Sequence, residues 1–272
     1  MLSRMPDLAL PSPRLPSSSA AEPAAVSRSG LVDEIARWAG VFLILTGLAH
    51  LVVFAVDGGA WEGPVSWRKP VTFGVSFGVT LIALAWVTSY VPTGARARAV
   101  LLGLFTADCV LEVGGITLQA WRGVPSHLNM ETRFDAAVSM TLAVGGGLLV
   151  VLLSAFAVLA FRRRPRGPAG MALALRAGFA ILLVALVSGA GMIARGVYLT
   201  RTGHQLDAYS STAPLKPLHG VSLHAVLVLP LLAWALSRTG WSAAARHRTV
   251  SAAAGAYGLA VVAAGVWAAV TW

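Results

Sequence analysis

Lysine is nearly missing from this sequence. Nineteen of the 21 basic residues are arginine, and the two lysines, Lys69 and Lys216, are each followed directly by proline. The single cysteine, Cys109, excludes an intrachain disulfide and any Cys-x-x-Cys or haem-attachment signature. Charged residues make up 12% of the chain, about half the ~25% of an ordinary soluble domain. There is no Walker loop, no dinucleotide glycine fingerprint and no His-Glu-x-x-His, so the common nucleotide and zincin chemistries have no motif to stand on. The net charge of +10 does not read as nucleic-acid binding, because the arginines sit in short connectors between apolar runs.

Apolar residues dominate what remains, at 57% of the chain. Seven runs, at 38–56, 71–91, 99–121, 136–161, 173–199, 220–237 and 250–271, approach or exceed the ~20 residues that cross a bilayer as helix. Most lack a polar face at helical period, which a large soluble protein would need. The dyad alternation of a membrane β-barrel is also missing. The expected fold is all-α: a seven-helix transmembrane domain over 36–272, preceded by a disordered cytoplasmic tail over 1–35 rich in Pro, Ser and Ala. That tail has no apolar core of the signal-peptide kind.

Arginine also predicts orientation. The side of the amino terminus and the even connectors holds 14 of the 21 basic residues, including the run "RRRPR" at 162–166. By the positive-inside rule the amino terminus is expected to be cytoplasmic and the carboxyl terminus extracytoplasmic, in a multi-pass cell-membrane protein. Trp38 and Trp241 would then mark the inner interface, and Trp61, Trp67, Trp121 and Trp272 the outer one.

Ionisable groups inside a span cost at least about 2.5–3.5 kcal/mol at the centre and mark candidate sites. Here they gather toward the outer half: His50 in span one, Glu112 and Gln119 in span three, His219 and His224 in span six, and Arg195 at the end of span five. Asp108 lies deeper and shares a helix face with Glu112 and Gln119 at i, i+4 and i+11, with Gly115 between them. The inner half otherwise reads as inert. Spans four and seven hold no interior charge, are rich in Gly and Ala, and read as scaffold. "GVSFG" at 74–78 is a small-xxx-small packing signal.

A lysine at a helix start opposes the macrodipole by a few tenths to about 1 kcal/mol, so something else must hold Lys69 and Lys216 there. Snorkelling to headgroups is one answer. The other is a cationic rim over the cavity holding Glu112, His50 and His224, with the ammonium groups aimed at the bundle axis or paired with Glu62, Glu131 or Asp135.

Four functions remain open. His50 and His224 lie at similar depth on antiparallel spans, as axial ligands of haem b would if spans one and six faced each other. His50, His219 or His224 with Glu112 or Asp108 could hold zinc for a membrane hydrolase. Glu112 could exchange a proton in a carrier whose Lys69, Lys216 and Arg195 draw a small anionic ligand from the extracytoplasmic side, with Gln119 among the ligand contacts. The chain could also be an accessory subunit without catalysis. Seven-helix hydrolases of the alkaline ceramidase kind are excluded because the last span has no histidine, and microbial rhodopsins because it has no lysine.

Overall fold

The computed structural model describes residues 30–271. Almost all of the expected tail lies outside these residues, although its last five positions already belong to the first helix. Among the described residues seven helical segments are long and apolar enough to cross a membrane, and the first five are α1 (Leu31–Asp57), α2 (Arg68–Thr88), α3 (Ala95–Trp121), α4 (Arg133–Arg162) and α5 (Met171–Arg201). A short α6 (Gln205–Ser210) and a 3-10 turn (Ala213–Leu215) lead into α7 (Lys216–Ser237), and α8 (Ala243–Thr271) closes the chain.

Most helices overrun the apolar runs by a few polar residues at their ends. α2 is instead displaced toward the amino terminus, ending at Thr88 where the sequence expectation ran to Val91. Pro92 explains the shift, because the residue before a proline avoids helical geometry and the chain must turn beforehand. Lys69 consequently falls inside the first turn of α2, while Lys216 is the first residue of α7.

Two helix groups form the bundle. α1 packs along α2, and both contact α3; α5, α7 and α8 form the second group; α4 bridges α3 to α5, and α2 touches α7. The α1–α2 seam depends on glycine. A β-carbon on Gly74 would come within 2.8 Å of Gly47 Cα, and one on Gly47 within 2.8 Å of the Val75 backbone nitrogen. Gly40 faces Gly78 in the same seam, so "GVSFG" does form a close-packed contact. Across the second group, Gly178 lies against the Val226 backbone. α8 is mostly exposed, and its Tyr257 hydroxyl donates to the Val221 carbonyl at 2.8 Å.

One end of the bundle carries the start of α1 and the connectors 89–94, 163–170 and 238–242; this is the arginine face. The opposite connector face carries the longer segments 58–67, 122–132 and 202–215.

The arginine face is not inert. Asp33 of α1 and Arg98 of α3 form a buried ion pair, and Arg98 also donates to Thr88 Oγ1 at 2.9 Å and to the Ala85 carbonyl at 2.7 Å. This corrects the expectation that polar chemistry is confined to the other half. Asp33 precedes the first apolar run, and Arg98 looked like a connector charge, so neither read as interior.

Candidate functional site

Three polar groups stand toward the connector face, and one of them leaves its chemistry unsatisfied.

The first surrounds His50. Its Nδ1 bonds to the Thr46 carbonyl at 2.7 Å, and Trp121 donates its indole N–H to Nε2 at 3.1 Å. Trp67 stacks over the ring at 5.9 Å and in turn donates to Asp57 at 2.7 Å. Nδ1 must therefore carry the proton, because Nε2 accepts. Both nitrogens are engaged within the protein.

The other two membrane histidines lie elsewhere. His219 turns its Nδ1 to the Ala185 carbonyl of α5 at 2.8 Å, with the ring against Gly189. His224 is exposed and bonds its own helix at the Gly220 carbonyl. α1 packs against α2 and α3, whereas α7 packs against α5 and α8. The pairing of His50 with His224 across facing helices thus fails on helix adjacency, which composition and spacing do not encode. Among the described residues, no three His, Cys, Asp or Glu side chains gather as a metal set.

The second group is the connector-face mouth. Lys69 donates to the Pro64 carbonyl at 2.7 Å and sits close enough to Lys216 and Arg68 for their charges to repel. Neither lysine takes the acid partners expected from sequence: Glu62 pairs with Arg68 at 3.1 Å, and Asp135 pairs with Arg122. Lys69 is half-buried, while Lys216 is exposed. Arg195 is an exposed residue on the last third of α5.

His127 stands in the connector between α3 and α4, outside the seven apolar runs. In the structure the connector 122–132 tucks into the bundle: Leu128 adopts a left-handed φ of 61°, its side chain seats on Gly196, and its carbonyl accepts from Gln205 Nε2 at 2.9 Å. His127 is thereby carried beside Phe73 and toward Lys69. Burial, and then the Lys69 ammonium, push its imidazole down from 6.5 to about 4. Among the described residues neither Lys69 nor Lys216 forms an ion pair, so His127 borders a mouth of positive charge.

The third group is on α3. Gln119 donates to Asp135 Oδ1 at 2.9 Å, Thr132 Oγ1 donates to Asp135 Oδ2 at 2.6 Å, and Arg122 closes the network on both Gln119 and Asp135. Seven residues below Gln119 on the same face lies Glu112, ~10 Å deeper at 1.5 Å per residue. Asp108 is one turn further in. Glu112 is 3% exposed and Asp108 6%, and each keeps one oxygen, Oε1 and Oδ2, with no hydrogen-bond partner.

α4 makes the opposite wall. A β-carbon on Gly145 would lie 2.5 Å from Glu112 Oε1 and 2.8 Å from Asp108 Oδ1. The glycine run "AVGGGLLV", expected to be scaffold, therefore forms the seat of both carboxyl groups. A shared acid face was legible in the spacing of Asp108 and Glu112; the identity of the helix opposite was not.

Compared with protein-family models, curated proteins and solved structures, the chain matches none. Fold and composition together define an all-helical, multi-pass membrane protein with seven candidate spans.

Proposed function

We propose that this protein is a proton-coupled carrier in a cell membrane, taking a small anionic ligand at the connector face. The observation that carries the reading is the Asp108–Glu112 pair. Two carboxylates one turn apart repel when both are ionised, and burial with one oxygen of each unpaired makes a second negative charge costlier still. A pair of this kind exchanges one proton as a unit. Ionisable groups at that depth in a span are otherwise too costly to keep without a task.

The mouth supplies the ligand half. Lys69 and Lys216 stand near each other with no acid paired to them among the described residues, and His127 adds a ring nitrogen for hydrogen bonding. Arg195 and Gln119 are the remaining candidate contacts, although Gln119 is already committed to Asp135. The arginine asymmetry supports placing the connector face outside and the amino terminus in the cytoplasm.

The test uses the full chain in proteoliposomes with a trapped pH indicator. A panel of small carboxylate, phosphate and sulfonate anions is added outside. At least one should move protons in the wild type; Glu112→Gln should abolish that movement, and Lys69→Gln with Lys216→Gln should weaken anion dependence. Proton movement that Glu112→Gln leaves untouched refutes the carrier reading.

A further inference from the structure

Between the Gln119–Asp135–Arg122 network and the Glu112–Asp108 pair, the α3–α4 interface is obstructed. Leu142 of α4, 2% exposed, presses on Gly115 of α3: a β-carbon there would meet Leu142 Cδ2 at 2.9 Å. Gly115 is three residues from Glu112 and four from Gln119, so Leu142 stands at the step between the two polar groups. Leu142 also borders a groove of about 280 Å³ between the helices, lined by Leu111, Gly115, Ala137, Val138 and Thr141. That space can receive the leucine side chain if it swings away from Gly115.

We infer that the carboxyl pair exchanges its proton with the connector face along the α3–α4 interface, through Gln119 and Asp135, and that Leu142 is the apolar gate on this route. The inference rests on the carrier reading for its purpose, but its geometry is independent of the anion at the mouth. A polar network above, an apolar plug one residue thick and two buried carboxyl groups below, each with one oxygen unpaired, are the parts a gated proton path needs. A buried acid that titrates must at some moment meet a donor or water.

Other charges around the pair do not offer a shorter route. On α2, Lys69 borders Ile116 and Ala120, above Glu112, and donates to Pro64. On α1, His50 has both nitrogens engaged. α4 carries no titratable side chain between Asp135 and Arg162. Cys109, on α3 itself, is buried.

The experiment labels Glu112 in the purified full-length protein with two carbodiimides, one membrane-soluble and one charged and water-soluble, and reads the adduct by mass spectrometry. The charged reagent should label wild-type Glu112 slowly. Leu142→Ala should raise that rate roughly tenfold, equivalent to lowering the opening cost by about 1.4 kcal/mol, with Leu142→Val between them. Leu142→Phe should slow it. The membrane-soluble reagent and the melting curve report whether each variant is folded, and Leu142→Val retains the test if Leu142→Ala is not.

An unchanged rate with the charged reagent in folded Leu142→Ala and Leu142→Val overturns the gate. Loss of proton movement in Glu112→Gln alongside that result would leave the carrier reading standing without this route. A faster rate in Leu142→Ala with proton movement untouched by Glu112→Gln would keep the gate and remove the carrier.

Discussion

Trp121 of α3 donates its indole N–H to Nε2 of His50 on α1, and that bond turns a candidate cofactor ligand into a fastening between two helices. The ring is held at both nitrogens and covered by Trp67. His50→Ala should therefore shift tryptophan emission and destabilise the fold by about 0.5–1.5 kcal/mol, the net worth of a hydrogen bond whose Trp121 partner is itself exposed. His50→Gln, which keeps an acceptor, should recover part of it. Thermal melts in mild detergent check both. A Soret band in the wild type that disappears with His50→Ala would contradict this role.

Gly145 and Gly147 provide an internal comparison. A methyl at Gly145 collides with the Glu112 and Asp108 oxygens, whereas one at Gly147 meets nothing within 4 Å. Gly145→Ala should cost about 1–3 kcal/mol through overpacking. Gly147→Ala should leave stability unchanged or raise it by up to ~1 kcal/mol through helix propensity. Combining Gly145→Ala with Glu112→Ala should restore much of the loss, measured as coupling in a double-mutant cycle.

The Asp33–Arg98 pair staples α1 and α3 to the end of α2. Removing one partner leaves the other charge buried, and Arg98→Ala should cost about 3–5 kcal/mol. Asp33→Leu together with Arg98→Met should cost less than either single change, since no uncompensated charge remains. Equal losses in all three variants, read from thermal unfolding, would show that the pair contributes only by size.

His127 predicts the direction of one pH effect. Its folded value, about 4, lies below the ordinary 6.5, so between these pH values the unfolded chain binds more protons than the folded one. Stability should fall as pH drops through that window and flatten below it. His127→Asn should remove this part of the slope, while Lys69→Gln should move it to higher pH by lifting the charge that opposes protonation. The melting temperature from pH 7 to pH 4 measures it.

Seven apolar stretches and their glycine seams were readable because length and small-residue spacing act locally along one helix. The Asp108–Glu112 face was readable for the same reason. What stayed hidden depended on which helices are neighbours. His50 and His224 share a depth but not an interface. Gly145 looked like filler until α4 was set against α3. Asp33 and Arg98, 65 residues apart in the chain, appeared as unrelated end charges. His127 needed a left-handed Leu128 to carry it inward, and nothing in "PSHLNM" announces that turn.

The central claim is that Asp108 and Glu112 hold one proton between them at neutral pH. Infrared difference spectroscopy of the full-length protein reads this directly through the carbonyl stretch of a protonated carboxyl group. The account predicts such a band at pH 7, reduced or lost in Glu112→Gln and displaced in Asp108→Asn. A wild-type spectrum containing only ionised carboxylates at pH 7 would contradict it.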